Sequence, residues 1–221
     1  MDRWTQQLDN YCERIDFTFW AEPVNAVTNA AFILAALFCW AVMGGKRDPG
    51  ARLLVAILMA IGIGSFLFHT YATRWALATD VWPITAFILV YVYLATTRFF
   101  ALPRWAGGIA VALFVPYSAA LIALVQPITG SLNGSIGYVP VPVLILGYAA
   151  VLAFRDRVTA AGLAIGAGIL VLSLFFRTID AAICPALPLG THFLWHVLNG
   201  IMLGWMILVL HRHQPASPGR A

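Results

Sequence analysis

Apolar residues form seven long stretches in this 221-residue chain, and short polar segments separate them. A helix needs roughly 20 apolar residues to cross the hydrocarbon core of a bilayer. The stretches cover residues 24–43, 52–70, 79–98, 105–125, 138–154, 158–176 and 190–210. The pattern predicts an all-α membrane protein with seven transmembrane helices. It divides the chain into an acidic N-terminal segment (1–23), a transmembrane domain (24–211) and a short tail (212–221).

Composition excludes a soluble fold. The chain is 62% hydrophobic and 10% charged, with a mean hydropathy of +0.86. Soluble domains carry about 25% charged residues, so this chain could not cover itself with a polar surface. The first apolar stretch is not expected to be a signal peptide, because an acidic segment precedes it where a basic region would be needed.

Lysine and arginine placement predicts the orientation in the membrane. Short cytoplasmic loops carry an excess of these residues. Nine of the 13 fall on one side: Lys46, Arg47, Arg52, Arg98, Arg104, Arg155, Arg157, Arg212 and Arg220. The other four are Arg3, Arg14, Arg74 and Arg177. We therefore expect the N-terminus outside and the C-terminus in the cytoplasm. The net charge of +4 reflects topology and does not indicate a nucleic-acid partner.

Two of the three cysteines are predicted to form a disulfide. Cys12 precedes the first helix and Cys184 lies between the sixth and seventh, so both fall on the outer side, where disulfides persist. The alternative is two free thiols. Cys39 lies late in the first helix and is interpreted as a small packing residue.

Five polar residues are expected at one depth near the outer face. Ser65 and His69 lie near the end of the second helix, Asp80 lies in the first turn of the third, and His192 and His196 begin the seventh. Residues four apart share a helix face, so both histidines of the last helix can reach one ion. Ionisable residues inside a bilayer are functional candidates by default. His211 and His213 lie at the opposite end and are interpreted as interfacial.

Three histidines can form a zinc site with an open fourth position, as in catalytic zinc centres. A metal in such a site lowers the pKa of its water to about 7 and polarises a carbonyl. Ser65 could donate a hydrogen bond to a developing oxyanion, and Asp80 could act as general base or orient a histidine. The structural alternatives are packing histidines, a helix-capping Asp80 and a Ser65 that bonds its own backbone.

A second polar cluster lies in the N-terminal segment. Hard oxygen ligands at this density suit calcium. The alternative is a solvated segment whose carboxylates cap helices. The acidic residues are Asp9, Glu13, Asp16 and Glu22, with Asn10, Asn25 and Asn29 nearby.

The motifs resemble the alkaline ceramidase family, within a wider group of seven-helix membrane hydrolases that includes adiponectin-receptor-like proteins. The resemblance rests on YCER, FWAEPVNAVTN, GSFLFH, the Asp80 turn, FRTIDAAIC and HFLWH, which span Tyr11 to His196 in family order. It implies a zinc-dependent amidase acting on a lipid amide such as ceramide, with His69, His192 and His196 as zinc ligands and Ser65 and Asp80 near the reacting carbonyl. It also supports the Cys12–Cys184 disulfide.

The resemblance implies calcium in the N-terminal segment as well. Glu13 and Glu22 match the family's calcium ligands by position. Asn10 stands where the family has its first calcium carboxylate, which leaves Asp9, Asn10 and Asp16 as further candidates. Short loops and an Ala- and Arg-rich chain indicate a bacterial member in the inner membrane, with its active site near the periplasmic face.

The leading functional hypothesis is therefore hydrolysis of ceramide or a related N-acyl lipid to a fatty acid and an amine. The partner is the membrane lipid itself, and the sequence indicates no protein partner. A receptor or sensor that keeps the zinc site is the alternative. A haem carrier is a third, weakened because His192 and His196 share one helix face and suit a single metal.

Overall fold

The computed structural model describes residues 2–213 of the chain, and within them every regular element is helical. The helices are α1 Pro23–Thr28, α2 Ala30–Met43, α3 Pro49–Tyr71, α4 Arg74–Phe99, α5 Arg104–Thr129, α6 Pro140–Leu152, α7 Arg157–Ile183 and α8 His192–Arg212. Short 3₁₀ turns occur at Arg3–Thr5 and Ser135–Tyr138. Helices α1 and α2 form one span, so the seven predicted membrane-spanning helices are confirmed.

Helices α3 and α8 lie at the centre of the bundle. Helix α8 packs against α2, α3 and α7, and α3 packs most extensively against α4. Helix α5 is peripheral, since Gly107 is its only buried residue. Large apolar side chains along α5, such as Val115 and Leu124, point outward, as expected where lipid replaces water. The two central helices therefore carry many of the residues that the bundle shields from lipid.

Helices α3, α4, α5 and α7 all extend beyond the predicted stretches, and the extensions of α7 and α4 bear on the site. Helix α7 continues through Ile183 because FRTIDAAIC stays helical. Helix α4 begins at Arg74, which places Asp80 in its second turn. The prediction that Asp80 lies in a first turn is wrong, and a role as helix cap is thereby removed. Residues 214–221, which include Arg220 and most of the predicted tail, lie outside the described part of the chain.

Helices α3 and α4 approach closely at Gly64. A side chain there would collide with the backbone of Thr79, so only glycine permits this spacing. The Thr79 hydroxyl also lies 3.4 Å from the Gly64 carbonyl oxygen. This contact brings the residues that follow, Ser65 and Asp80, next to each other.

Residues 2–22, here called the N-terminal strap, lie across one end of the bundle. The Leu8 amide donates to the Ala72 carbonyl (2.7 Å), and the Arg74 amide donates to the Gln6 carbonyl (3.1 Å). The predicted disulfide between Cys12 and Cys184 is present and joins the strap to the segment between α7 and α8. The strap therefore covers the end of the bundle where α3 finishes and α8 begins.

Candidate metal centre

Three histidines from two helices meet beneath the strap. His69 lies in the last turn of α3, while His192 and His196 occupy the first two turns of α8. Each residue is 1% exposed. One potential ligand atom from each lies within 4.8 Å of the others, the one cluster of this kind among residues 2–213. The structure thus brings together the three residues that the sequence singled out as metal ligands.

Each histidine keeps one buried ring nitrogen without a hydrogen-bond partner: Nε2 of His69, Nδ1 of His192 and Nε2 of His196. An unsatisfied buried polar atom costs about 1–3 kcal/mol, so three of them at one point need a common explanation. A metal ion bound by three nitrogens supplies it, because imidazole lone pairs are ordinary ligands of zinc and similar ions. The donor set therefore fits a metal.

The remaining ring nitrogens of two histidines are held by hydrogen bonds. His69 Nδ1 lies 2.5 Å from Glu22 Oε2, and His196 Nδ1 lies 3.0 Å from Thr28 Oγ1. The Thr28 hydroxyl already donates to the Val24 carbonyl, and an ionised carboxylate has no proton to give. Both histidines therefore donate from Nδ1 and keep the Nε2 lone pair for a metal, the usual outer-shell arrangement.

An aromatic ring and a buried carboxylate support His192. The Tyr11 ring stacks on the His192 ring at 3.7 Å between centroids. The Asp180 side chain accepts from the backbone amides of His192 (2.9 Å), Thr191 (2.7 Å) and Cys12 (3.1 Å). Asp180 thus links the start of α8 to the strap beside the disulfide. Burial raises the pKa of Tyr11 far above its ordinary value, which keeps the phenol neutral.

Ser65 and Asp80 lie beside the histidines. Ser65 is one turn before His69 and is buried. The half-buried Asp80 follows Thr79, whose backbone touches α3 at Gly64, the residue before Ser65. The two residues predicted to act on a carbonyl therefore reach the same end of the bundle as the metal candidates.

The acidic residues of the strap take their partners from the chain itself. Both Glu13 oxygens accept backbone amides at the start of α1, from Val24 (2.7 Å) and Asn25 (2.8 Å). Asp16 accepts from the Thr18 amide (2.8 Å). Burial raises the pKa of Glu13, although the two amides oppose the shift. Asp9 and Asn10 are exposed.

Glu22 has the densest contacts of these carboxylates. Besides His69, it accepts from Arg14 Nε and from Asn25 Nδ2 (3.1 Å). Burial would raise the pKa of Glu22, but the hydrogen bond from His69 and the positive charge of Arg14 outweigh it and lower the pKa. No cluster of three carboxylates forms within residues 2–213. The calcium assignment stays a prediction.

Several of these contacts were not predicted from the sequence. The family resemblance rests partly on the motifs YCER and FRTIDAAIC, which contain Tyr11, Arg14 and Asp180. It assigned no role to these three residues. Thr28 lies in the motif FWAEPVNAVTN in the same way. An arginine inside an otherwise acidic segment was the one signal that could have marked Arg14.

The fold and this centre define a class: a multi-pass membrane protein with a buried three-histidine site that can bind a metal ion. The sequence profile of the family described as ceramidase matches residues 6–217, so the chain belongs to the ceramidase family. Its members are hydrolases that act on the amide bond of ceramide, and the resemblance to the alkaline ceramidases is confirmed. A comparison with curated proteins gave no match.

Proposed function

We propose that the protein is a zinc-dependent membrane amidase that hydrolyses the amide bond of ceramide or a related N-acyl lipid, releasing a fatty acid and an amine. The observation that carries the proposal is the convergence of three unpartnered imidazole nitrogens at the end of the bundle where α3 and α4 bring Ser65 and Asp80 together. Family membership supports the amide bond as the target. Three-nitrogen sites are typical of catalytic zinc.

His69, His192 and His196 would hold the ion. When bound, it supplies Lewis-acid activation of water and of the substrate carbonyl. The Ser65 hydroxyl donates a hydrogen bond to the carbonyl oxygen as negative charge develops there. The Asp80 carboxylate takes a proton from the attacking water and passes it to the amide nitrogen as the carbon–nitrogen bond breaks. In the alternative role, Asp80 only orients His69 and transfers no proton.

An apolar cavity between the helices marks the path that the lipid tail would take. Its lining is almost entirely hydrophobic, and one lining residue, Phe32, contacts His196 with 6.2 Å between ring centroids. A long acyl chain is stabilised by such a lining at about 25 cal/mol per Å² of apolar surface removed from water. Other lining residues are Ile84, Phe87, Tyr138, Val141, Leu170, Met202 and Met206.

We also propose that the centre faces the periplasm. The lysine and arginine asymmetry supports an outer N-terminus. The Cys12–Cys184 disulfide agrees, because disulfides persist in oxidising compartments.

The test combines metal analysis of the purified protein with hydrolysis of a lipid panel: ceramide, N-acyl ethanolamines and N-acyl amino acids, with and without chelator. We expect about one zinc per chain and turnover that is lost on chelation and restored by zinc. Asp80→Asn should keep zinc and lose about 10²–10⁴-fold in kcat. Ser65→Ala should lose about 10²–10³-fold, whereas Ser118→Ala, which removes a hydroxyl from peripheral α5, should lose none. A protein that binds zinc but cleaves no lipid amide would favour the sensor.

A further inference from the structure

Arg14 is a buried cation at the joint between the strap and the metal centre. Its side chain is 1% exposed. The guanidinium donates through three nitrogens to three acceptors: Nε to Glu22 Oε1, one terminal nitrogen to the Asp16 carbonyl (2.9 Å) and the other to the His69 carbonyl (3.0 Å). It therefore contacts the strap, the start of α1 and the end of α3 at once.

The positive charge of Arg14 compensates the buried negative charge of Glu22. The Glu22 side chain is 2% exposed, and an unpaired buried carboxylate would be strongly destabilising. One Glu22 oxygen accepts from Arg14, and the other accepts from His69 Nδ1 and Asn25. Arg14 thus fixes the carboxylate that holds a metal ligand in its tautomer and orientation. Such outer-shell partners change metal affinity by about 10–100-fold.

In this arrangement the carboxylate oxygens of Glu13 and Glu22 already have protein partners, which would compete with a calcium ion. Calcium sites use six to eight oxygen ligands, with carboxylates free to point at the ion. Here both oxygens of Glu13 and both of Glu22 accept hydrogen bonds from protein donors. The positive charge beside Glu22 comes from the chain itself. Glu13 and Glu22, which match the family's calcium ligands by position, therefore have no carboxylate oxygen free of a protein donor.

We propose that Arg14 is a positioning residue that acts as a built-in cation: it holds Glu22 against His69 and the strap over the metal centre, in place of an added calcium ion. The inference rests on the proposed zinc centre, because it concerns a ligand of that centre. In this arrangement the positive charge of Arg14 orients Glu22, which in turn orients His69. That orientation does not require calcium.

The experiment measures zinc affinity by competition with a chromophoric chelator, which needs no turnover. Arg14→Gln should bind zinc about 10–100-fold more weakly and lose kcat more than KM changes. Millimolar guanidinium should restore part of the affinity in Arg14→Ala, and Arg14→Lys should lie between wild type and Arg14→Gln. Added Ca²⁺ should leave the zinc affinity of the wild type unchanged. It should partly restore the zinc affinity of Arg14→Glu, in which a second carboxylate lies beside Glu22.

Arg74→Gln is the matched control. Arg74 also anchors the strap, through Gln6 Oε1 (2.6 Å), but it does not contact Glu22 or a histidine. Its zinc affinity should equal that of the wild type. Equal losses in the Arg74→Gln and Arg14→Gln variants would overturn the proposal, as would stoichiometric binding of ⁴⁵Ca²⁺ to the wild type in equilibrium dialysis. Zinc affinity that follows Arg14 in a protein without amidase activity would leave this inference standing and reject the proposed function.

Discussion

The two ends of the bundle use histidine differently. At one end, His69, His192 and His196 converge beneath the strap. At the other, His211 Nδ1 lies 3.0 Å from Asp48 Oδ2, and His213 Nδ1 lies 3.1 Å from Asp156 Oδ2. Histidine paired with a carboxylate therefore occurs at both ends, since His69 has the same relation to Glu22.

The difference lies in the second ring nitrogen. Beneath the strap, one nitrogen of each histidine is buried and unpartnered, and all three lie close together. His211 and His213 contribute no such atom, and each pairs with its own carboxylate. A carboxylate partner alone therefore says little about metal binding. The convergence of free lone pairs marks one end as a candidate metal centre, whereas the histidines at the other end form separate hydrogen bonds to carboxylates.

Alanine substitutions at the two ends should give the largest contrast. Removing the imidazole of His69, His192 or His196 deletes one of the three proposed zinc ligands, so zinc affinity should fall by more than the roughly 10–100-fold expected for an outer-shell change. Activity should fall with it. His211→Ala and His213→Ala should retain one zinc per chain, as measured by mass spectrometry of the purified proteins. Full zinc content in His69→Ala would refute the assignment.

Part of this contrast is visible in the sequence. The spacing of His192 and His196 places them on one helix face, and the hydropathy pattern places His69 at the same depth. Both inferences depend on regular geometry along one helix and on the count of membrane crossings. The start of α4 was misplaced because an apolar stretch of about 20 residues is enough to cross the bilayer, whereas the helix itself extends further back, to Arg74.

The outer shell could not be predicted in the same way. Thr28 reaches His196 because α1 and α8 pack together, and Gly200 lets α8 approach the backbone of Ala31. Asp180 reaches the His192 amide because Gly190, at φ +66°, turns the chain back over it. These contacts depend on how separate helices pack, which no local pattern in a single sequence records.

Thr28→Val should remove the hydrogen bond that orients His196 while leaving all three imidazoles in place. The substitution keeps the shape but removes the oxygen that accepts from His196 Nδ1. Zinc affinity should fall by about 10–100-fold, measured by chelator competition. Thr70→Val is the matched control, because the buried Thr70 hydroxyl donates only to carbonyls of its own helix. If both variants bound zinc equally well, the tautomer of His196 would not depend on Thr28.

The smallest effect is expected at the opposite end, where Asp48 joins three elements. It accepts from the Ala51 amide at the start of α3 (3.0 Å), from both terminal nitrogens of Arg98 and from His211. Asp48→Asn removes a charged cap and an ion pair, which together contribute about 1–2 kcal/mol. The thermal midpoint in detergent should fall by about 2–8 °C, while zinc content stays at the wild-type value. Loss of zinc would show that the two ends are coupled.

The same variant has a defined pH dependence. Burial alone would raise the pKa of Asp48, but the hydrogen bonds from Arg98, the Ala51 amide and His211 hold it well below its usual range. A carboxyl whose pKa is depressed on folding stabilises the protein fully above its unfolded value of about 3.9, and that contribution is lost as the pH falls towards the folded value. The stability difference between wild type and Asp48→Asn should therefore be constant between about pH 5 and 7 and shrink below about pH 4. Thermal melts across this range would measure it, and a difference that grew on acidification would contradict the ion-pair assignment.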